Sequence, residues 1–175
     1  MRLSRRDMLR IGGVLLAAPA FSRASAQVGD LIDIVTRGNA DGSVVWFEPV
    51  GVLLRPGQTV RWTNKDPGNS HTSTAYHPDN DGHPLRIPAK AQPWNSDYLL
   101  PDQSFSVALT ETGVYDYFCI PHEHAGMGGR LVVAAEGGAV PVAPPGSPIE
   151  GLEADPFPAV ETIMQQGRVL RLRLS

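Results

Sequence analysis

Tyr115-Asp116-Tyr117-Phe118-Cys119-Ile120-Pro121-His122-Glu123-His124-Ala125-Gly126-Met127-Gly128-Gly129-Arg130 is the stretch on which the reading turns. Its left flank, Val114 to Phe118, is β-branched and aromatic, and its right flank continues into Arg130-Leu131-Val132-Val133. Both flanks predict strands, so the middle is a loop between two strands. That loop sets a thiolate, an imidazole and a thioether at the spacing C-x2-H-x4-M. Soft and borderline ligands of this kind suit copper, with Met127 as a weak axial donor. A second histidine must come from elsewhere. His71 follows the predicted strand Gln58-Thr59-Val60-Arg61-Trp62 and can face the loop, although His77 lies only six residues further on.

The rest of the chain supports a sandwich of short strands. Its 175 residues include 18 Gly and 16 Pro, and 42% are apolar, enough for one buried core with many turns. Strands are predicted at Leu31–Val35, Ser43–Phe47, Val52–Leu54 and Ser104–Leu109, with Gly, Pro, Asn and Asp between them. The expected fold class is all-β, an antiparallel sandwich. Between Tyr76 and Leu100 runs a long polar insert rich in proline, with His77 and His83 expected in solvent and Trp94 expected to pin the insert to the sandwich. Tyr115, Tyr117 and Phe118 are expected in the core.

Residues 1–26 read as an export signal. Ser4-Arg5-Arg6-Asp7 leads into an apolar run from Ile11 to Phe21 and then Ala24-Ser25-Ala26, and the paired arginines resemble a twin-arginine signal. The apolar run is too short to span a bilayer, so no stable membrane span is expected after cleavage. Export places the protein in the periplasm or on the outer face of the cytoplasmic membrane. Without this segment, ten basic and seventeen acidic residues remain, a charge near −7. No basic stripe survives, which argues against nucleic acid as a partner. Cys119 is the one cysteine, so no internal disulfide can form, and a metal would protect a lone thiolate outside the cytoplasm.

The organisation expected is therefore a signal over 1–26, a copper-binding domain over 27–135, a Gly/Pro-rich linker over 136–148 and a C-terminal extension over 149–175. In that extension Pro158 to Gln166 can form a short helix with Asp155 near its start. Arg168 to Leu174 alternates basic and apolar residues as an edge strand does.

The ligand stretch resembles that of the plastocyanin and pseudoazurin branch of the cupredoxins, Tyr-x-(Phe/Tyr)-Cys-x-Pro-His followed by Gly-Met-x-Gly. The resemblance spans about Leu31 to Ala135. It implies a Greek-key β-sandwich of eight strands with one type 1 copper near one end, held by His71, Cys119, His122 and Met127. Thr72 and Ile120 depart from the residues many relatives carry beside the ligands, and His124 is also atypical. Such a protein is expected to be a monomeric, non-enzymatic carrier of single electrons between redox proteins. Its docking patch would lie at the exposed edge of His122, framed by Pro121, Ala125 and Gly126, with His124 and Glu123 beside it. Copper storage or delivery is the alternative. A hydrolytic or multicopper site would need more ligand pairs than His122-Glu123-His124 alone offers.

Overall fold

In a computed structural model, residues 31–39, 41, 43–142 and 157–171 are described. The export signal, linker residues 143–148 and Asp155 lie outside these residues. Strands β1 (Leu31–Gly38), β2 (Val45–Glu48), β3 (Gly51–Leu54), β4 (Gln58–Asn64), β5 (Thr74–Ala75), β6 (Ser104–Leu109), β7 (Gly113–Phe118) and β8 (Gly128–Val133) are followed by helix α1 (Val160–Gln166) and strand β9 (Arg168–Val169). They form two sheets, one in the order β2-β1-β4-β6 and one in the order β5-β7-β8-β3-β9. This is the expected all-β sandwich.

The sheets are not purely antiparallel, which corrects the sequence expectation. β1 pairs with β4 in parallel, Leu31 opposite Thr59 through Thr36 opposite Asn64, and β3 pairs with β8 in parallel, Gly51 opposite Arg130. Alternation along one strand reports which side is buried but carries no information about a partner's direction. The pattern along β4 is strict, with Gln58, Val60, Trp62 and Asn64 buried and their neighbours half-buried. β7 and β8 are instead buried on both faces, because the insert and the C-terminal segment cover the side of their sheet that faces away from the sandwich.

The central core joins Ile34, Phe47, Val60, Trp62, Tyr115, Tyr117, Leu131 and Val133 with Cys119 and Met127. Trp94 stacks on Trp62 with ring centroids 5.6 Å apart and donates from Nε1 to Ser73 Oγ at 3.0 Å, so the insert is pinned as expected. His83 behaves differently from the expectation. Rather than being solvated, it stacks on Phe118 with centroids 4.5 Å apart, and its Nε2 lies 3.1 Å from Glu123 Oε2. His77 stays at the edge, its Nδ1 accepting from the Asp79 amide at 3.1 Å.

Residues 157–171 close the outer face of the second sheet. Val160 and Ile163 of α1 pack with Val114 and Val132, and β9 extends the sheet beside β3 as an edge, while residues 172–174 of the expected edge strand lie outside the described residues. Gly51 makes this contact possible, since a Cβ there would sit 2.7 Å from Pro158 and 2.9 Å from Ile163. Two guanidinium groups stand over the Phe157 ring, Arg86 at 5.0 Å and Arg130 at 5.1 Å from its centroid. Both arginines pair with the fully buried Asp116, Arg86 at 2.8 Å and Arg130 at 2.7 Å. Insert, sheet and C-terminal segment thus meet on one desolvated carboxylate, which would be costly to leave unpaired.

Ile163 is fully buried and is not part of the cluster that contains Cys119 and Met127. Ile163→Ala is expected to lower the stability of the metal-free protein by about 2–5 kcal/mol in urea unfolding, with the visible spectrum of the copper-loaded protein unchanged.

Candidate metal centre

Each candidate ligand is positioned by backbone geometry that the local sequence explains. Cys119 is the first residue after β7, and Met127 immediately precedes β8. The Cys119 amide donates to Met127 O at 3.0 Å, closing the loop at its base. Inside it, Ile120–Ala125 wind into a 3-10 helix, a feature not expected from the sequence, with Pro121 in its first turn where a missing amide costs nothing. The helix kinks at His122, whose amide donates to Cys119 O at 3.0 Å. Gly126 ends it in the left-handed region at φ 75°, and the chain turns back so that the Met127 amide reaches His122 O at 3.1 Å. His71 arrives from the loop after β4. Its backbone exchanges two hydrogen bonds with Leu99, at 3.2 and 2.8 Å.

These elements bring three ligand atoms together. His71 Nδ1 lies 3.5 Å and His122 Nδ1 3.4 Å from Cys119 Sγ, and all three fall within 4.8 Å of one another. Nitrogen and sulfur donors bound at roughly 2.0–2.3 Å to one ion have separations of this order. His71 and Cys119 are fully buried, Met127 is buried in the same apolar cluster as Cys119, and His122 is half-buried with an edge toward solvent. His77 and His124 are outside the group, and His124 is exposed.

The electrostatics suit a metal better than a nucleophile. Burial pushes the Cys119 thiol up to about 11, and the hydrogen bonds around it, chiefly from Thr72, only partly oppose that. Reactive cysteines sit in surroundings that lower the thiol pKa, so this thiolate needs a cation delivered to it. Burial, followed by the nearby His71, holds His122 below the ordinary imidazole value and keeps its ring neutral, as a ligand must be. Thr72 and Ile120 are joined here. The Thr72 amide donates to Cys119 Sγ at 3.3 Å, and its hydroxyl accepts from the Ile120 amide at 2.9 Å.

Two neighbours of the site are placed by the fold: Asp66 was not singled out from sequence, and Glu123 was expected only beside the docking patch. Asp66 Oδ2 meets His71 Nε2 at 3.0 Å, leaving Nδ1 facing the sulfur. Glu123 accepts from the Tyr76 hydroxyl at 2.8 Å as well as meeting His83, so it is tied to the insert and is not a free surface charge. The turn composition around Asn64-Lys65-Asp66 and Gly68-Asn69 signals a loop, but not that its carboxylate points inward.

A sequence profile for copper binding proteins of the plastocyanin/azurin family matches residues 34–134. The chain belongs to that family. A plastocyanin of Scenedesmus fuscus is 36% identical over 102 residues, covering 58% of this chain and 99% of the relative. A chloroplastic plastocyanin of Chlamydomonas reinhardtii is 30% identical over 134 residues, covering 76% and 86%. A pseudoazurin structure from Sinorhizobium meliltoi is 28% identical with a TM-score of 0.45, covering 60% of this chain and 75% of that one. Membership of this family and the His-Cys-His group together identify the cofactor as copper.

The metal-free protein should titrate Cys119 near pH 11, read from thiolate absorbance, against about 8.5 for an unperturbed thiol. Because the folded state keeps a proton that the unfolded state releases, this group's contribution to stability is complete below about pH 8.5 and declines as pH rises toward 11.

Proposed function

We propose that the protein carries single electrons between redox proteins outside the cytoplasm, and that His71, Cys119, His122 and Met127 are the residues that would hold its copper. The observation that carries this reading is the asymmetric burial of the two histidines. His71 is sealed in the interior while His122 keeps an edge at the surface, and Pro121, Ala125 and Gly126 around it are exposed. One ligand edge therefore offers a short path to a partner, and the small uncharged residues beside it suit a transient redox interface.

When bound, copper supplies a one-electron couple. The chain's own residues supply the rest. The Cys119 and His71 side chains exclude water from the interior side of the site. The hydrogen bonds that close the loop hold Cys119, His122 and Met127 in place, which limits rearrangement between oxidation states. The Thr72 amide fixes the sulfur. Buried at the loop's base, Met127 presents a thioether, a soft donor that favours the reduced metal. The twin-arginine-like N-terminus supports an extracytoplasmic, periplasmic location.

Copper delivery is the competing use, and voltammetry with a chelator challenge separates the two. A carrier gives an intense visible thiolate-to-copper band, a reversible one-electron wave and slow loss of copper to the chelator. A colourless site that surrenders copper rapidly would instead establish delivery. Cys119→Ser is expected to abolish the visible band. His122→Ala should change the absorption and EPR spectra strongly, while His124→Ala leaves both nearly intact. The reverse result would overturn the ligand set. Met127→Gln should retain copper and lower its potential, because an oxygen donor favours the oxidised metal. A voltammogram unchanged within error would remove Met127 from the site.

A further inference from the structure

We propose that Asp66 is a positioning residue for copper, holding His71 through its Nε2 proton and biasing the site toward the oxidised metal. This rests on the ligand set proposed above.

The Asp66 side chain is 3% exposed and the His71 side chain 0%. A carboxylate this deep is expensive unless it is paired, and the surroundings supply its partners. Oδ1 accepts from the Gly68 amide at 2.9 Å, while Oδ2 accepts from Asn69 Nδ2 at 2.9 Å and faces His71 Nε2 at 3.0 Å. Among the described residues no Lys or Arg forms an ion pair with it. The adjacent Lys65 turns outward to Asp102 at 2.6 Å. The carboxylate therefore faces an imidazole and neutral donors.

The loop is built to aim that carboxylate. The Asp66 amide donates to Asn64 Oδ1 at 2.9 Å, which also accepts from Thr36 Oγ1 at 2.8 Å. Asn64 Nδ2 donates to the carbonyls of Asn69 and Leu99 at 2.9 and 2.8 Å. Thr36 and Asn64 are opposed in the parallel β1–β4 pairing and both are fully buried. Gly38 leaves the space the carboxylate occupies, because a Cβ there would collide with Asp66 Oδ2. The end of the first sheet thus carries a rigid polar frame whose output is one oxygen on the far nitrogen of His71.

The chemical consequence follows from charge. An anionic acceptor on Nε2–H fixes the tautomer with Nδ1 free, orients the ring and makes Nδ1 a stronger donor. A stronger donor beside a buried negative charge stabilises the doubly charged ion more than the singly charged one. Asp66 therefore lowers the reduction potential, opposing the thioether of Met127.

The test is Asp66→Asn in the full copper-loaded protein, near-isosteric but uncharged. The expected result is retained copper and visible colour, with the Cu(I) to Cu(II) ratio shifted at least tenfold toward Cu(I). For one electron this is about 59 mV upward in midpoint potential. Copper affinities should show Cu(II) binding weakened more than Cu(I) binding, by that same factor. A second measurement needs no variant. In the diamagnetic Cu(I) wild type, His71 should show a downfield, slowly exchanging Nε2–H proton in 15N-correlated NMR.

A variant that loses stability but keeps the wild-type potential would reduce Asp66 to a structural role and overturn the proposal. So would an Nε2 proton exchanging at the rate of an exposed imidazole, which decides the matter if the variant does not fold. A wild type that takes up no copper overturns the ligand set itself, and with it the role given to Asp66. A blue wild type with an unshifted variant overturns the role of Asp66 alone.

Discussion

The hydrogen bond from the Cys119 amide to Met127 O is the constraint on which the site depends. It continues the antiparallel pairing of β7 with β8 one step past Phe118 and Gly128. Because these strands are neighbours, the intervening residues must leave the sheet and return to the same point. A 3-10 turn that starts at Ile120, with Pro121 in its first turn, and ends at a left-handed Gly126 achieves this and brings His122 Nδ1 within 3.4 Å of the sulfur. The soft donors are therefore brought together by a short-range closure within rigid secondary structure, at little entropic cost.

The fourth proposed ligand is reached differently. His71 belongs to the connection that leaves the other sheet, and its placement draws on residues far apart in sequence. Leu99 fixes its backbone, Asp66 holds its ring, and Thr36 and Asn64 support Asp66. Each of these buried polar groups has a partner, so the network rigidifies the site at low desolvation cost. A two-sided arrangement results, with a soft, half-exposed loop facing the solvent and a polar, buried frame behind it.

The insert and the C-terminal segment act on the back of the ligand loop. Tyr76, Phe118 and Phe157 form one cluster with Ile120 packed against it. His83 reaches over Phe118 to Glu123, while Arg86 and Arg130 share Asp116 and both stand over the Phe157 ring. Removal of either segment would expose the outward face of β7, the face of Val114, Asp116 and Phe118 opposite the one that carries Cys119. Residues 157–171 are therefore part of what keeps the second sheet buried on both faces.

The sequence by itself determined the donor types, their spacing and most of the strands. Those properties are local, because C-x2-H-x4-M is set by nine consecutive residues and strand alternation by the period of the backbone. The all-β class was legible for the same reason, and so was the pinning role of Trp94. Parallel pairing in β1–β4 and β3–β8 was not legible, since alternation is blind to strand direction. Nor was the convergence of Asp66, Thr36 and Asn64 behind His71, or the capture of His83 and Glu123. A polar residue in a turn reads as solvated until the fold shows which way its side chain points. Only tertiary structure decides that, because a side chain's burial depends on what the rest of the chain places over it.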